Sequence, residues 1–327
     1  MSQGHALVFG ATGFLGPHVL RCLERGGVAT VAASRREPVE KLRFGAEFVP
    51  CDGRSEGAGL GLINGATRQI PRAVFFLSAV SSMGAAQADP ARAQRLNTQW
   101  PRELAQACAA AGIPFVYTST DLVFGSVPPA DAARGRYTEG EPTSPMGAYG
   151  ESKRDGETAV LEAHPGALVV RLPLMYGDSF GRGLGASEGL LAAVRSGAKP
   201  MLFTDELRCA MDAKDAARAL VLFGGCGGGL SEARGATLAD IEGRAGVLHL
   251  GGAASLSRAE LGLRLLVRAG LGEGEARAAV RFGTQADAGF EGERPKNTCL
   301  DSSAARRLLA GGQLELEEDP LEPGNHP

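Results

Sequence analysis

A glycine-rich turn near the start of the chain restricts the folds that the rest can adopt. It follows a short apolar run, Ala6–Phe9, whose composition is typical of a buried parallel strand. Gly10, Gly13 and Gly16 come next, and the apolar residues after them recur at helical spacing. A strand, a glycine turn of this spacing and a helix, in this order, form the unit that binds a dinucleotide in doubly wound α/β proteins. An isolated glycine turn would indicate only a loop, but this order of elements predicts a nucleotide site.

The three glycines have separate tasks in such a turn. Gly10 allows the tight bend, Gly13 lets the backbone approach a pyrophosphate, and Gly16 lets the helix pack closely on the strand. The first turn of the helix adds unpaired N–H groups and a partial positive charge. We therefore expect the cofactor to contact Gly10, Thr12, Gly13, Phe14, Leu15 and Gly16.

The end of the second predicted strand, residues 28–33, indicates which dinucleotide binds. An acidic residue at this position binds the ribose 2′-hydroxyl of NAD, whereas an arginine suits the 2′-phosphate of NADP. The strand runs into Ser34, Arg35 and Arg36, and the first carboxylate, Glu37, comes only after them. Guanidinium groups match phosphate geometry, so the sequence favours NADP(H) over NAD(H). The alternative is that both arginines are solvated surface residues.

Two further strands lead to expected cofactor contacts. The third, residues 46–49, leads to Asp52, whose carboxylate is placed to accept a hydrogen bond from an adenine amino group. The fourth, residues 73–77, is followed by small residues that allow the chain to pass beneath a cofactor. The contacts expected at the end of this strand are Leu77, Ser78 and Ala79.

Two stretches in the middle of the chain predict a proton-transfer site. Residues 117–124 (YTSTDLVF) are typical of a buried strand with a polar end that contains Thr120. The sequence YGESK begins a helix, and its Tyr149 and Lys153 lie four residues apart and therefore on one face. If this helix packs beside the strand, the three side chains converge. A nearby ammonium would lower the pKa of the tyrosine from its ordinary value of about 10 toward the range where general acid–base catalysis is efficient.

Composition and charge exclude several classes of partner. The chain has 327 residues, 44% of them hydrophobic and 22% charged, and a formal net charge of −3. The mild acidity gives no polybasic surface for nucleic acid. No membrane span or targeting segment is evident, so we expect a cytoplasmic protein. The six cysteines lack the spacing of a zinc site or a disulfide framework, and we expect buried thiols and no metal.

Strands and helices alternate along the chain, which predicts an α/β fold: a doubly wound parallel sheet of the Rossmann type with a smaller C-terminal α/β substrate domain. One helix is expected over residues 90–111, and the loop at residues 181–189 is either a substrate lid or a linker. The strand at residues 247–250 and a helix capped by Ser257 and Glu260 are assigned to the smaller domain. The predicted divisions are residues 1–172 with about 208–224 (cofactor domain), 173–207 with 245–311 (substrate domain), 225–244 (glycine-rich insertion) and 312–327 (flexible acidic tail).

Five motifs, occurring in order, resemble those of the extended short-chain dehydrogenase/reductases. They are GATGFLG, Asn97, YTSTDLVFG, YGESK and VVRLPLMYG. Within that superfamily, STDLVF, RLPLMYG and the late RPKNTCLD resemble dTDP-4-dehydrorhamnose reductases. They resemble equally the regulatory beta subunit of methionine adenosyltransferase. The resemblance extends over nearly the whole chain.

The resemblance implies a role for each matching residue. Tyr149 would be the catalytic acid/base, and Lys153 would hold the nicotinamide ribose and lower the pKa of Tyr149. Thr120 would hydrogen-bond the substrate oxygen, and Asp121 would hold the loop at the substrate beside it. Asn97, which lies inside the predicted helix, would complete a water-linked proton relay.

The sequence departs from these families where the substrate is expected. The families usually continue VF with Asp-Gly, whereas Phe124 runs into Gly125 and Ser126, and a longer loop follows over residues 127–137. Loops in this region border the substrate, so the departure bears on the sugar specificity. Arg294, in the late motif, either binds an anionic diphosphate or belongs to a structural turn.

The sequence therefore predicts an NADP(H)-dependent reductase of a keto group on a nucleotide-activated deoxysugar. One alternative is a non-catalytic NADP-binding subunit that regulates another enzyme, as the methionine adenosyltransferase resemblance implies. Another is a sugar-nucleotide epimerase or dehydratase with a retained NAD, which Arg35 and Arg36 disfavour. A homodimer or a regulatory partner fits the resemblance, and no nucleic acid or membrane is expected.

Overall fold

The computed structural model describes residues 4–65, 69–226, 246–290, 292 and 294–311. Thirteen strands lie within these residues. They are β1 (Ala6–Phe9), β2 (Thr30–Ser34), β3 (Glu47–Pro50), β4 (Ala73–Phe76), β5 (Phe115–Thr120), β6 (Leu168–Leu172), β7 (Met175–Tyr176), β8 (Met201–Phe203), β9 (Leu207–Arg208), β10 (Met211–Asp212), β11 (Val247–His249), β12 (Leu256–Ser257) and β13 (Arg281–Gly283).

Seven of these strands form one parallel sheet. The order across it is β3–β2–β1–β4–β5–β6–β11, and every neighbouring pair is parallel. β1 has β2 on one side and β4 on the other, so the direction in which strands are added reverses beside it. Open sheets of this kind bind their ligands in the crevice at such a switch point, beyond the carboxyl ends of the strands. The predicted Rossmann-type α/β fold is confirmed.

Eleven α-helices lie within the described residues and connect these strands. They are α1 (Gly16–Arg25), α2 (Leu60–Ile63), α3 (Met83–Ala88), α4 (Pro90–Gln94), α5 (Trp100–Ala111), α6 (Ala148–Ala163), α7 (Ala186–Arg195), α8 (Ala213–Phe223), α9 (Arg258–Arg268), α10 (Glu273–Ala278) and α11 (Ser303–Gly311).

Helices cover both faces of the sheet and bury an apolar layer on each. On one face α1 packs against α8, and on the other α5 packs against α2 and α6. Consecutive strand residues point to opposite faces. Phe75 therefore belongs to the first core and Phe76 to the second, and both are fully buried. Burial on both faces explains why β4 is a continuous apolar run rather than an alternating one.

The helix predicted over residues 90–111 is interrupted by a π-helical turn at Arg95–Gln99. Pro101 accounts for part of the break, since it has no N–H group to donate to the carbonyl of Asn97 four residues earlier. That carbonyl instead accepts a hydrogen bond of 2.7 Å from the Tyr117 hydroxyl. Such turns frequently occur at functional sites.

The assignment of the strand near residue 247 to the smaller domain was wrong. β11 pairs in parallel with β6, with Leu248 opposite Val170, and forms the edge of the main sheet. Leu248 is fully buried in the same core as Leu220 of α8. The apolar run does not reveal this position because its neighbour β6 lies about 75 residues earlier in the sequence.

The smaller C-terminal region is built from short strand pairs and helices. β8 pairs with β13 in parallel and β9 with β12 antiparallel. An apolar cluster joins α7, α9 and α10 to β8 through residues such as Leu202, Leu266 and Ala276. The predicted capping box is confirmed, since the Ser257 hydroxyl accepts from the Glu260 N–H at 3.0 Å and the Glu260 carboxylate accepts from the Ser257 N–H at 2.8 Å.

Two predicted segments fall at or beyond the limits of the described residues. The acidic tail, residues 312–327, and nearly all of the glycine-rich insertion, residues 225–244, lie outside them. Among the helices of the described part, none combines the length and apolar character needed to span a bilayer. The six cysteines are buried and unpaired, as expected.

Candidate active site

A groove of about 640 Å³ runs along the carboxyl ends of the strands, and the glycine turn forms one wall. Gly10 has a φ of 82°, a left-handed conformation that other residues adopt only with strain. A Cβ at this position would lie 2.6 Å from the Ser78 nitrogen, so the end of β1 and the end of β4 approach closely only because residue 10 is glycine. The volume is within the range of small-molecule and cofactor sites.

The groove collects nearly all of the predicted cofactor contacts. Its lining includes Gly10, Thr12, Gly13, Phe14, Leu15, Ser34, Arg35, Arg36, Asp52, Leu77, Ser78, Ala79 and Lys153. Gly16 is the exception, because it is buried at the first residue of α1. Apart from Lys153 on α6, these residues lie at or after the ends of the four strands β1 to β4, which is the composite site expected at a switch point. Their chemistry therefore fits a dinucleotide: a glycine turn for phosphates, arginines at one end and a titratable cluster at the other.

The arginine end of the groove is exposed, and the carboxylates of Glu37 and Asp52 line the groove with the two arginines. Arg35 and Arg36 are exposed, and the Ser34 hydroxyl holds the loop by donating to the Arg36 carbonyl at 2.8 Å. The nearby Glu37 forms an ion pair with Arg43 instead. Both arginines are thus placed where an anionic group can reach them.

Asp52 also lines the groove but has a partner within the chain. Its carboxylate accepts from the Arg54 backbone N–H at 3.1 Å and from the Arg54 Nε at 2.9 Å. The hydrogen bonds from Arg54 lower the pKa of Asp52. An adenine amino group would share this carboxylate with Arg54, so the predicted contact stays a prediction.

Tyr149, Lys153 and Thr120 all line the same groove. Helix α6 packs against β5, which brings the first turn of the helix beside the end of the strand. Burial raises the pKa of Tyr149 to about 12, partly offset by a hydrogen bond with Thr120. The phenol is therefore protonated at neutral pH.

The expectation that Lys153 lowers the pKa of Tyr149 does not hold in this arrangement. The Lys153 Nζ donates to the Thr118 carbonyl at 2.6 Å and lies 4.0 Å from the centroid of the Tyr117 ring. Burial lowers the pKa of Lys153 to about 7, and only the carboxylate of Glu157 opposes this shift. Burial thus determines the pKa of both groups, and the lysine is directed at the strand backbone rather than at the phenol.

Thr120 and Asp121 are linked to the late RPKNTCLD motif. The Thr120 hydroxyl donates to Asp121 Oδ1 at 3.1 Å, and the Thr298 hydroxyl donates to Asp121 Oδ2 at 2.6 Å. Burial raises the pKa of Asp121, while the nearby Arg208 and these hydrogen bonds act in the opposite direction. These hydrogen bonds link Asp121 to the late motif, and its predicted roles in holding the loop and in contacting substrate stay predictions.

Asn97 is fully buried in the π-helical turn and makes structural hydrogen bonds. Its Oδ1 accepts from the Val80 N–H at 2.8 Å, and its Nδ2 donates to the Ser152 hydroxyl at 3.0 Å. These bonds tie the loop after β4 to helix α6. Its backbone carbonyl accepts from the Tyr117 hydroxyl. The relay role stays a prediction.

Gly156 allows α6 to approach this turn, a role that the sequence did not reveal. A Cβ at residue 156 would lie 2.2 Å from the Asn97 carbonyl oxygen and 2.4 Å from the Tyr117 hydroxyl oxygen. The signal available in the sequence is a glycine inside a predicted helix. Glycine destabilises a helix by about 1 kcal/mol relative to alanine, so its presence there indicates close packing against a neighbour.

A buried charged network beneath the site was also missed. Arg171 on β6 forms an ion pair with Glu157 on α6, with Nη2 2.7 Å from Oε2, and its Nη1 lies 3.1 Å from His249 Nε2 on β11. The Ser119 hydroxyl donates to the same carboxylate. The signal is an arginine within a buried apolar strand, since such a charge requires a buried partner.

Arg294 lies apart from the groove lining, in the smaller region. Its guanidinium carbon is 4.0 Å from the centroid of the Phe290 ring. Arg258 lies close enough to Arg294, Arg208 and Glu206 for these charges to affect its pKa, which burial lowers. The two alternatives for Arg294, diphosphate binding and a structural turn, both remain open.

Comparison with known proteins agrees with this geometry. The family described as "RmlD substrate binding domain" matches residues 4–318, which is nearly the whole chain. The chain belongs to this RmlD family. The protein named "Probable low-salt glycan biosynthesis reductase Agl14" of Haloferax volcanii is 27% identical over 320 residues, covering 96% of this chain and 95% of that protein.

Two further relatives of this RmlD-family chain match about half of it. The dTDP-4-dehydrorhamnose reductase of Streptomyces griseus is 34% identical over 52% of this chain and 50% of its own length. Methionine adenosyltransferase 2 subunit beta of Mus musculus is 33% identical over 53% of this chain and 47% of its own length. The predicted resemblance to both groups is confirmed.

Solved structures show the same fold. A hypothetical dTDP-4-dehydrorhamnose reductase from Sulfolobus tokodaii gives a TM-score of 0.71 with 21% identity, covering 96% of both chains. The dTDP-4-dehydrorhamnose reductase of Bacillus anthracis, solved in complex with NADP, gives 0.68 with 19% identity over 98% of both chains. MoeE5 in complex with UDP-glucuronic acid and NAD gives 0.70 with 22% identity over 94% of this chain and 93% of that one.

Proposed function

We propose that the chain is an NADP(H)-dependent reductase of a keto group on a nucleotide-activated deoxysugar. The observation that carries this proposal is the opening of Tyr149, Lys153 and Thr120 into one groove with the glycine turn and with Arg35 and Arg36. Membership of the RmlD family supports a sugar-nucleotide reductase. The 2′-phosphate of NADP is assigned to the two arginines, because a guanidinium pairs bidentately with phosphate.

A nicotinamide cofactor supplies a hydride when it is bound in this groove. Tyr149 holds the proton that the reduced carbonyl oxygen requires. Because burial raises the pKa of Tyr149 to about 12, its hydroxyl is protonated at neutral pH and is in the form that a reduction consumes.

Thr120 is assigned to hydrogen-bond the same carbonyl oxygen of the substrate. Its single hydroxyl hydrogen is donated to Asp121. A donor role toward the substrate therefore requires Thr120 to exchange this hydrogen bond when substrate binds. In a dry pocket the new hydrogen bond stabilises developing negative charge more strongly than it would in water.

Lys153 is the third residue of the proposed site, with Tyr149 and Thr120. Its Nζ is anchored on the Thr118 carbonyl, and its pKa of about 7 lets it gain or lose a proton near neutral pH. We assign it to the nicotinamide ribose, at the edge of the groove that it lines.

Titration of the pure protein with NADPH and NADH, followed by an absorbance assay with a panel of nucleotide 4-ketosugars, tests the proposal. Tighter binding of NADPH and oxidation of NADPH by one ketosugar would support it and identify the substrate. Tight NADPH binding without turnover of any ketosugar would instead support a non-catalytic regulatory subunit, the alternative that the resemblance to methionine adenosyltransferase 2 subunit beta implies. Purification with bound NAD would support an epimerase or dehydratase.

A further inference from the structure

A segment from the smaller region crosses to the glycine turn and is attached to it by one arginine. We call residues 178–185 the strap; it follows β7 and leads into α7. The Arg182 Nη1 donates to the Thr12 carbonyl at 2.6 Å, and its Nη2 donates to the Gly13 carbonyl at 3.1 Å. Arg182 thus bonds to the backbone of the turn that is assigned to the cofactor phosphates.

The strap is held in a defined conformation by its own hydrogen bonds. The buried Ser179 hydroxyl accepts from the N–H groups of Arg182 and Leu184, both at 3.2 Å. The Glu188 carboxylate accepts from the Ser179 N–H at 3.0 Å and the Gly185 N–H at 2.9 Å. A side chain that reaches the turn from this segment therefore starts from a fixed backbone.

Aromatic contacts fix the strap against helix α1. Phe180 has a φ of 60°, which is strained for a phenylalanine. Its ring centroid lies 4.9 Å from that of His18 and 5.5 Å from that of Phe44. The His18 Nε2 is 2.8 Å from the Asp178 carbonyl oxygen. Packing against α1 thus compensates for the strain and keeps Arg182 over the turn.

Arg182 lines the groove and retains N–H groups beyond those that bind the strap and the turn. Its Nε donates to the Ser179 carbonyl at 2.7 Å, so three of its five N–H groups are used in the contacts given above. Within the described residues the other two donate to no acceptor. Arg182 and Leu184 both line the groove beside Gly13 and Phe14. A positive charge with spare donors, held next to a phosphate-binding turn, is suited to an anionic oxygen.

We propose that Arg182 is a ligand of the cofactor pyrophosphate, carried to it by the strap. This inference rests on the proposed NADP(H) site and adds a cation to the backbone N–H groups of the phosphate turn. It also couples the smaller region to the cofactor, because the strap leads directly into α7.

The single tryptophan, Trp100, lines the groove and provides the signal for a binding experiment. Quenching of its fluorescence gives Kd for NADPH and for adenosine 2′-monophosphate, which has the 2′-phosphate but no pyrophosphate. We expect Arg182→Met to raise Kd for NADPH about 10- to 100-fold, the effect of losing hydrogen bonds to a charged group. Binding of adenosine 2′-monophosphate should not change, because that ligand reaches only the Arg35 and Arg36 end.

Two further variants separate the charge from the structure of the strap. Arg182→Lys keeps the charge without the planar fork, so we expect a smaller loss of NADPH affinity than in Arg182→Met. Arg195→Met removes an exposed arginine from the end of α7 and should leave both Kd values unchanged. Raising the salt concentration should weaken NADPH binding less in Arg182→Met than in the wild type.

Two results would overturn the inference while leaving the proposed function intact. One is an unchanged Kd for NADPH in Arg182→Met. The other is an equal loss of affinity for NADPH and for adenosine 2′-monophosphate, which would show that Arg182 only maintains the shape of the groove. If the wild-type protein bound neither NADPH nor NADH, the proposed function would fail together with the inference.

Discussion

The Thr298 hydroxyl donates a hydrogen bond of 2.6 Å to the carboxylate of Asp121, a residue 177 positions earlier in the chain. Both side chains are buried. The same carboxylate accepts from Thr120, so this contact connects the late motif of the smaller region to a residue that lines the groove. The position of Thr120 therefore depends on both parts of the fold.

Thr298→Val should destabilise the protein and weaken catalysis together. The substitution keeps the shape but leaves a buried carboxylate oxygen without its donor, which costs about 1–3 kcal/mol in the free energy of unfolding. Urea denaturation measures that cost, and the turnover of the identified ketosugar measures the effect on Thr120. Thr204→Val is the control: it removes an exposed hydrogen bond of 3.3 Å to the Gly283 carbonyl, which water can replace, and should change both quantities far less. Identical stabilities for the two variants would contradict the role assigned to Thr298.

Glu157→Gln should lower the free energy of unfolding considerably more than Thr298→Val does. The side chains of Arg171 and Glu157 are only 5% and 6% exposed. Removing the carboxylate therefore leaves a buried guanidinium without its counter-charge. Breaking such a pair from one side costs about 3–5 kcal/mol. Glu162→Gln, an exposed position on the same helix, should be neutral in the same denaturation experiment. A small loss of stability in Glu157→Gln would show that Arg171 finds another partner.

The buried Lys153 should make stability depend on pH. Burial lowers its pKa from 10.5 to about 7, so between these pH values the unfolded chain binds a proton that the folded chain does not. The contribution of Lys153 to the free energy of unfolding therefore rises as the pH rises above about 7. Below that value the lysine is protonated in both states, and the folded state carries the full cost of a buried ammonium.

Comparison with Lys153→Met isolates this contribution. The difference in free energy of unfolding between wild type and variant should shift in favour of the wild type by about 1.4 kcal/mol per pH unit above pH 7. Lys199→Met, at an exposed lysine, should show no such slope relative to the wild type. A flat difference for Lys153→Met across this range would mean that the lysine keeps an ordinary pKa in the folded protein.

Replacing Arg35 and Arg36 with serine should change the cofactor preference. Both arginines line the groove, and the cofactors differ only in the 2′-phosphate. We expect Kd for NADPH to rise about 10- to 100-fold, since charge-assisted hydrogen bonds are lost. Kd for NADH, measured on the same variant, is the internal control and should hardly change. Equal changes for both cofactors would place the 2′-phosphate elsewhere.

Local sequence patterns predicted most of the fold and the composition of the groove. The glycine turn, the alternating strands and helices and the helix pair Tyr149–Lys153 each combine a distinctive composition with short-range spacing. The residues of the groove were predictable because strand ends in a parallel sheet meet at one edge.

The features that were missed depend on contacts between distant residues. The break in the helix at Asn97 follows from Pro101 and from a hydroxyl on β5, and the edge position of β11 follows from pairing with β6. Arg182 lies in a glycine-rich stretch with no period, and its contacts with the turn lie about 170 residues away. The pKa of Tyr149 was predicted in the wrong direction because burial, which a sequence shows poorly, outweighs the neighbouring charge.

The most direct test of the proposed function is a single-turnover comparison of wild type and Tyr149→Phe with NADPH and the ketosugar that the panel identifies. The substitution removes only the hydroxyl that holds the proton, so Kd for NADPH should stay the same. The rate of NADPH oxidation should fall about 100- to 10,000-fold, the usual contribution of a general acid. Equal rates for the two proteins would contradict the assignment of Tyr149 as the proton donor, and with it the mechanism proposed for this groove.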